Sequence, residues 1–220
     1  MNDKSYKFAN QFPEEIHFTP RELQEKYAKL APYYDLLSGL PEWLGLRRLR
    51  KRMLEKAEGR TLEIAVGTGR NLPHYPSECR PIAIDLSPAM VARARRHANH
   101  WHREVSFVIM DGDALAFPDE TFDTVVSSLV LCTFPDPVGA LREMRRVCRK
   151  GGRILLMEHG RSDREWLGRW QDRRAPRHAR WLGCHWSRDP LQLVHEAGMN
   201  PVSARRVFLG ILQLMEIRPT

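Results

Sequence analysis

The chain has 220 residues, of which 42% are hydrophobic, and it carries a formal net charge of +8. This length supports one sizeable hydrophobic core with an appended element, and it excludes two full domains. No stretch approaches the roughly 18 uninterrupted apolar residues of a membrane-spanning helix, and the N-terminus lacks an apolar run of signal-peptide length. The composition therefore predicts a soluble, cytoplasmic protein whose positive charge favours an anionic partner, either a membrane surface or nucleic acid.

The four cysteines, Cys79, Cys132, Cys148 and Cys184, are scattered along the chain without a CxxC pair. Such spacing gives no support to a disulfide framework or a zinc knuckle. The nine histidines also lack the spacing of metal ligands. We therefore expect free thiols and no metal site.

A first helix is predicted near the N-terminus. Residues 19–22 combine a capping threonine, a proline at the first helical position and a glutamate at the third. The helix is expected to run from Pro20 to about Leu30 and to end before Pro32.

A second, basic helix is predicted over residues 41–59. Apolar residues recur at helical spacing, and arginines and lysines occupy the other positions. The apolar positions are Leu46, Leu49, Met53 and Ala57, and the basic ones are Arg47, Arg48, Arg50, Lys51 and Arg52. The basic side is interpreted either as a solvated face or as a surface that contacts anionic lipid.

From residue 61 onward, short β-branched apolar runs alternate with helical patterns, which predicts an α/β fold with a mostly parallel sheet. The predicted strands cover residues 61–66, 81–85, 105–110, 122–128, 153–159, 203–209 and 212–217. Helices are predicted over 87–100, 140–152 and 189–199, the second of them ended by a glycine pair. The last two strands are close enough in sequence to form an antiparallel hairpin.

The segment LEIAVGTGRN, residues 62–71, runs from a buried strand into two glycines. A strand that ends in Gly67-Thr68-Gly69 before a helical turn fits a nucleotide-derived ligand at the carboxyl end of a parallel sheet. Leu72 stands where a dinucleotide motif has its third glycine, so a pyrophosphate ligand is not supported. Asp85, at the end of the next strand, can accept both hydroxyl hydrogens of a ribose. The pattern therefore favours a ligand with a ribose but no phosphate.

Together, Glu63-x-Ala65-x-Gly67-Thr68-Gly69, Asp85 and the segment MDGDALAFPDETFD resemble the class I S-adenosylmethionine (SAM) methyltransferases. The resemblance covers residues 27–217. It implies a Rossmann-like sheet of seven strands, mostly parallel with the last strand antiparallel, and a helical N-terminal lid. It also implies a lid or extension over 1–58, a SAM-binding core over 59–220 and a Trp/Arg-rich cap insert at 161–188. SAM is the implied cofactor, and S-adenosylhomocysteine the product.

The resemblance also assigns roles to individual residues. Asp85 would bind the ribose, and Asp111 with Gly112 would bind the adenine, with Asp113 as the competing choice. Either of the first two carboxylates alone could equally be a capping or loop residue, but their positions at the ends of consecutive strands favour a cofactor. The implied cofactor-binding residues are Glu63, Ala65, Gly67, Thr68, Gly69, Asp85, Leu86, Asp111, Gly112, Ser128 and Leu129.

Smaller features concern the methyl acceptor. The pairs Tyr75-Pro76 and Cys79-Arg80, with the segments LVLC (129–132), MEH (157–159) and LGC (182–184), resemble the methyltransferase-like thiol S-methyltransferases. The bacterial phosphatidylethanolamine N-methyltransferases share a YAxxAPxYD-like segment, LPHYP and FPD. The quinone-biosynthesis C-methyltransferases share FPDxxFD and the GGR strand, but not LVLC. The implied acceptor is small or amphipathic: a thiol first, a lipid amine headgroup second and a quinone-type carbon third.

The catalytic candidates are Tyr34, His159 and His185, and His74 and Asp35 are secondary candidates. His159 follows a strand and would act as a base facing the acceptor, or it is a histidine held by a backbone hydrogen bond. Tyr34 would cover the methyl site as part of the lid, or it is a core tyrosine. Direct methyl transfer needs no nucleophilic cysteine, so Cys132 and Cys184 are expected as pocket walls.

The cap insert at 161–188 interleaves four tryptophans with eight arginines. This composition suits a membrane interface or an aromatic-lined acceptor pocket, and it also suits a packed helical cap with solvated arginines. Nucleic acid is an unlikely partner because no RNA-binding module is visible. Two non-enzymatic hypotheses stay open, namely a SAM-binding protein with an inactive acceptor pocket and a protein that chiefly docks at the membrane periphery.

Overall fold

The computed structural model of the protein describes residues 18–219. Its strands are β1 Arg60–Ile64, β2 Arg80–Asp85, β3 Ser106–Ile109, β4 Phe122–Ser128, β5 Cys148–His159, β6 Pro201–Val207 and β7 Leu212–Ile217. They form one sheet in the order β3-β2-β1-β4-β5-β7-β6. β7 is antiparallel to both of its neighbours and the other pairs are parallel, which confirms the predicted fold class.

Helices cover both faces of the sheet. They are α1 Pro20–Pro41, α2 Arg47–Leu54, α3 Pro88–His100, α4 Pro137–Val147, α5 Glu165–Leu182 and α6 Pro190–Glu196, with a π-helical segment at Glu42–Leu46 and a 3₁₀ turn at Leu72–His74. One apolar cluster includes side chains of α4 and α6, and a second includes side chains of α2 and α3. Within residues 18–219, no helix is both long enough and apolar enough to cross a membrane.

The first helix is longer than predicted, because α1 continues through Pro32 to Pro41. A proline inside a helix removes one hydrogen bond and costs about 3 kcal/mol. Contacts with the core on both sides of Pro32 offset this cost. Gln24 donates to the carbonyl of Leu86 at 3.1 Å, and the hydroxyl of Thr68 donates to the carboxylate of Asp35 at 2.8 Å.

The predicted basic helix over 41–59 was wrong in its extent and in one of its basic residues. Gly45 has a φ of 140°, which interrupts the helix, and α2 then ends at Leu54. Arg50, expected on the basic face, is buried and donates to Glu42 at 2.8 Å and to Asn71 at 2.9 Å. Charge pairing inside the fold, which the helical pattern does not reveal, accounts for its inward position.

The predicted helix over 140–152 ends earlier, at Val147. Cys148 already pairs with Phe122 of β4, so the glycine pair lies within β5 and does not end the helix. A β-carbon at Gly152 would lie 2.8 Å from the backbone oxygen of Asp123. Glycine is therefore needed there for close approach of two strands.

The first 17 residues of the predicted N-terminal extension lie outside the described residues. The helical part of that extension, α1, is present and crosses the carboxyl ends of the central strands. Its contacts with Leu86 and Thr68 place it over the segments that follow β2 and β1. This position makes α1 one wall of the site described next.

Candidate functional site

A cavity of about 810 Å³, counted with its open mouth, lies between α1 and the carboxyl ends of β1, β2 and β4. The structure brings most of the predicted site residues together in its walls. These are Tyr34, Ala65, Gly67, Asp85, Leu86, Asp111, Gly112, Ser128 and Leu129.

Asp85 is held in place by the glycine turn beside it. The backbone N–H groups of Gly67 and Ser87 each donate to one of its carboxylate oxygens at 2.8 Å. Burial raises the pKa of Asp85, and these two hydrogen bonds oppose the rise. Each carboxylate oxygen has a second lone pair, so Asp85 can still accept hydrogen bonds from a ligand diol.

Gly67 leaves space for a ligand close to the backbone. Its φ is 57°, a left-handed conformation that favours glycine, and a β-carbon there would meet no atom within 4 Å. Gly67 and Asp85 line the same cavity. A ligand carrying a ribose fits this position beside the carboxylate of Asp85.

The segment after β3 supplies the other polar end of the cavity. Asp111 and Gly112 line it, whereas Asp113 does not. The backbone N–H of Asp113 donates to Asp111 at 3.1 Å, and burial followed by the charge of Asp111 raises the pKa of Asp113 to about 7. A β-carbon at Gly112 would lie 2.8 Å from the ring of Phe134, so the wall requires glycine. The position of Asp111 suits the adenine contact better than that of Asp113.

Three predicted cofactor residues lie behind the wall. Glu63 is buried and accepts hydrogen bonds from Asn71 at 3.0 Å and from Tyr75 at 2.9 Å, and burial raises its pKa to about 7. Thr68 is buried and binds α1 through its hydroxyl. Gly69 packs against α3, where an added β-carbon would lie 3.2 Å from a backbone atom. These residues shape the turn and do not themselves line the cavity.

Sequence reasoning missed the residues that connect this turn to its surroundings. Asn71 donates to Ser128 at 3.1 Å and accepts from Arg50 at 2.9 Å, so it links β4 and α2 to the glycine turn. Gln24 and Tyr27 of α1 also line the cavity. The one available signal was the spacing of Tyr27 and Tyr34, since residues seven apart share a helix face.

The catalytic candidates have different surroundings. Tyr34 lines the cavity, and burial raises its pKa. The Nε2 atom of His159 lies 3.4 Å from the sulfur of Cys184, and His159 does not belong to the described lining of the cavity. Burial lowers the pKa of His159, but Cys132 and the neighbouring carboxyl outweigh it and raise the pKa to about 9. The backbone N–H of His185 donates to the carbonyl of Cys132 at 2.8 Å.

The remaining candidates support the structure around the cavity. Asp35 forms an ion pair with Arg70 at 3.0 Å and so ties α1 to the glycine turn. Burial, followed by the nearby charge of Arg47, lowers the pKa of His74. Cys132 and Cys184, expected in the pocket walls, lie behind the described lining.

The Trp/Arg-rich insert contributes no residue to the cavity lining within the described part of the chain. Its helix α5 packs beside the first half of α1, where Lys26 donates to the carbonyl of Arg180 at 3.0 Å. Trp186 stacks on the ring of His178 at 4.1 Å, whereas Trp181 is 85% exposed. The insert therefore does not form the aromatic acceptor pocket that its composition suggested.

Several known proteins resemble this chain. Residues 62–156 match the family model described as "Methyltransferase domain". A phosphatidylethanolamine N-methyltransferase of Cereibacter sphaeroides is 43% identical over 48% of this chain and 53% of its own length. A demethylmenaquinone methyltransferase of Thermus thermophilus is 39% identical over 60% of this chain and 63% of its own length. The human thiol S-methyltransferase TMT1A is 30% identical over 66% of this chain and 62% of its own length. Each match thus spans less than two thirds of the relative.

Solved structures share the fold. A SAM-dependent methyltransferase from Thermotoga maritima has a TM-score of 0.66 at 20% identity, covering 90% of this chain and 100% of its own. A geranyl diphosphate C-methyltransferase from Streptomyces coelicolor, solved with S-adenosylhomocysteine, has a TM-score of 0.64 at 13% identity, covering 80% and 79%. The chain thus shares the fold of solved SAM-dependent methyltransferases, and its residues 62–156 match the methyltransferase-domain family.

Proposed function

We propose that the protein transfers the methyl group of SAM to a thiol on a small or amphipathic molecule. The observation that carries this proposal is the cavity, whose lining combines two carboxylates, Asp85 and Asp111, with apolar and aromatic side chains such as Met110, Phe134 and Tyr27. Such a lining fits a polar cofactor together with a less polar acceptor.

Residues of the chain would hold the two reactants in line. Asp85 would accept from the ribose hydroxyls, and Asp111 would accept from the adenine amino group. When bound, SAM supplies an activated methyl group on a sulfonium. Ser128 and Leu129 would lie beside the sulfonium, and α1 would exclude water from it through Tyr27 and Tyr34. The main contribution of the protein would be alignment of the acceptor with the methyl group.

The placement of carboxylates in the described lining favours a thiol over an amine as the methyl acceptor, because none of them lies on the α1 side. Within the described lining, Asp85 and Asp111 are the only carboxylates, and both are at the sheet side. A lipid amine is an ammonium near neutral pH and must lose its proton before it can accept a methyl group. A thiol ionises near pH 8.5 without help from the protein, so it requires no neighbouring base.

The outer face of α1 supports an amphipathic acceptor. We call this surface the apolar face of α1, and it comprises Tyr33, Leu36, Leu37, Leu40, Trp43 and Leu44, the last two in the π-helical segment. All six are more than half exposed. The opposite face of the same helix carries Tyr27 and Tyr34 into the cavity. One helix would thus separate the cavity from an apolar medium, as a lid would.

The apolar face continues into a basic surface. Arg48, Lys51 and Arg52 of α2 are exposed close to its end in sequence. An exposed apolar strip bordered by cationic side chains fits the surface of an anionic membrane. We therefore propose peripheral membrane association, with residues 1–58 as the lid and membrane-facing element, 59–220 as the SAM-binding core and 161–188 as an insert on its surface.

A lipid amine headgroup is the second candidate acceptor. It is favoured by the 43% identity to a phosphatidylethanolamine N-methyltransferase. The relatives also include quinone-type C-methyltransferases. All three acceptors would use the same cavity and differ in the atom that receives the methyl group.

The test is a methyl-transfer assay with labelled SAM over alkyl thiols of increasing chain length, phosphatidylethanolamine vesicles and reduced quinones. We expect label in the thiols, with KM falling as the alkyl chain lengthens. SAM affinity is measured separately by calorimetry. Label only in the vesicles or the quinones would replace the thiol as acceptor, and bound SAM without label in any set would favour a non-catalytic SAM-binding protein.

A further inference from the structure

Three side chains with soft or borderline metal-binding atoms meet beside the cavity. Cys132 lies in the turn after β4, His159 ends β5 and Cys184 follows α5. Their two sulfur atoms and one ring nitrogen all lie within 4.8 Å of one another. In sequence they are 25 or more residues apart, so no spacing motif indicates them.

The surrounding structure fixes these positions. The backbone N–H of His185 donates to the carbonyl of Cys132 at 2.8 Å, and the carbonyl of Cys184 lies 2.9 Å from the Nδ1 atom of His178. Cys132 and Cys184 are 2% and 8% exposed. The cluster is therefore assembled by three packed segments and is largely shielded from solvent.

The distances suit a shared ion. Zinc bonds of about 2.3 Å to sulfur and about 2.0 Å to nitrogen place tetrahedral ligands roughly 3.5 Å apart. The Nε2 atom of His159 lies 3.4 Å from the sulfur of Cys184. Thiols form only weak hydrogen bonds, so the two sulfur atoms and the single Nε2 atom satisfy one another poorly. A single cation would engage all three atoms at once.

We propose that Cys132, His159 and Cys184 form a binding site for a zinc-class divalent ion. Thiolate and imidazole ligands select such ions over magnesium and calcium. On binding, the two S–H bonds break, the Nε2–H bond of His159 also breaks where the ring is charged, and these protons pass to solvent; two metal–sulfur bonds and one metal–nitrogen bond form, and no electrons are transferred. Three protein ligands leave a fourth tetrahedral position for water or a small ligand.

The site adjoins the proposed acceptor side. Val130 and Thr133, on either side of Cys132 in the chain, line the cavity, whereas Cys132 itself does not. An ion at the cluster would therefore lie just behind this wall, next to the cavity. The proposal itself is independent of methyl transfer, because it concerns metal binding alone.

The test is titration of the full-length protein with Co²⁺, after removal of metals by a chelator and with a phosphine keeping the thiols reduced. We expect one ion per chain, with thiolate charge-transfer bands and the visible bands of tetrahedral cobalt, all displaced by Zn²⁺. Cys132→Ser and Cys184→Ser should each weaken the charge-transfer bands, and the double variant should lose them. Cys148→Ser, at a buried cysteine outside the cluster, is the matched control and should keep them.

A second measurement needs no variant. X-ray absorption of the zinc-loaded wild-type protein should show two sulfur neighbours and a nitrogen neighbour around the ion. Wild-type protein with all four thiols reduced and no cobalt bands would overturn the proposal. Unchanged bands in a folded Cys132→Ser/Cys184→Ser variant would overturn it as well. Calorimetry with SAM distinguishes both results from a failure of the proposed methyl transfer.

Discussion

Asp85 combines the two properties that a ribose-binding carboxylate needs. It is fixed in orientation by the backbone N–H groups of Gly67 and Ser87, each at 2.8 Å, and it lines the cavity. Gly67 lines the same cavity, and an added β-carbon there would meet no atom within 4 Å. The carboxylate is therefore pre-organised before any ligand arrives.

We expect Asp85→Ala to weaken SAM binding by roughly 100-fold, since two charge-assisted hydrogen bonds at about 1.5 kcal/mol each would be lost. Calorimetry measures the change. Asp113→Ala is the matched control, because Asp113 lies outside the cavity lining, and its SAM affinity should stay close to that of wild type. Unchanged affinity in Asp85→Ala would remove Asp85 from the cofactor site.

Glu63 should make the stability of the protein depend on pH. Burial raises its pKa from 4.5 to about 7 in the folded state. Between these values the folded state binds more protons than the unfolded state, so the free energy of unfolding falls as pH rises, by up to about 1.4 kcal/mol per pH unit. The stabilising contribution of the neutral carboxyl is complete below about pH 4.5 and is lost as pH rises through 7.

Glu63→Gln removes this titration and keeps an oxygen that accepts a hydrogen bond. Chemical denaturation at several pH values between 5 and 7.5 measures both proteins without SAM. We expect the stability of wild type relative to the variant to decrease across this range. Parallel curves for the two proteins would show that Glu63 is already ionised at the lower pH.

At the scale of elements, α1 is held on the core by polar contacts of its second half. Asp35 accepts from Thr68 at 2.8 Å and pairs with Arg70 at 3.0 Å. These contacts lie beyond Pro32, where local sequence preference would end the helix. The contacts that hold α1 on the core therefore also keep α1 in place as a wall of the cavity.

Asp35→Ala should loosen the second half of α1 without unfolding the core. Hydrogen exchange should accelerate in residues 33–41, and SAM affinity should fall by about 3- to 10-fold, equivalent to roughly 1 kcal/mol. Glu25→Ala is the matched control on the same helix, because its pair with Arg21 is exposed and contributes little. Equal exchange rates in Asp35→Ala and wild type would show that other contacts hold the helix.

At the scale of the whole molecule, apolar and basic surfaces are concentrated around α1 and α2. The apolar face of α1 is followed by the exposed basic side chains of α2. α4 also carries exposed arginines, but its apolar residues belong to the other core cluster, on the opposite face of the sheet. Within the described residues, α1 with α2 therefore combines apolar and basic side chains in one proposed membrane-facing surface, and α5, with exposed Trp166 and Trp181, carries a second Trp/Arg surface.

Arg48→Glu/Lys51→Glu should weaken binding to anionic vesicles by more than about 10-fold, since each basic side chain near the surface contributes about 1 kcal/mol. Vesicle sedimentation at two salt concentrations measures the loss. Arg142→Glu/Arg145→Glu on α4 changes the net charge equally and should bind like wild type. If both variants lose affinity alike, net charge and not this surface governs the binding.

The sequence alone predicted the sheet and the grouping of Gly67, Asp85 and Asp111 in one cavity. Each of the three lies at the end of a strand or within three residues after it, and the carboxyl ends of neighbouring parallel strands meet at one edge. Their positions in space thus depend on local chain geometry, which short motifs record. The longer α1 and the earlier start of β5 were not predictable, because contacts from distant segments override local preference at Pro32 and at Gly152.

The side of the cavity formed by α1 was decided by tertiary structure. Tyr27 faces the cavity only because α1 docks across the strand ends, and Arg50 is inside only because Glu42 and Asn71 are there to pair with it. The cluster of Cys132 with its partners likewise joins segments 25 or more residues apart. Packing brings these side chains together over long separations in sequence, so no local pattern indicates them. A strand followed by its turn, in contrast, forms a pattern that the sequence shows directly.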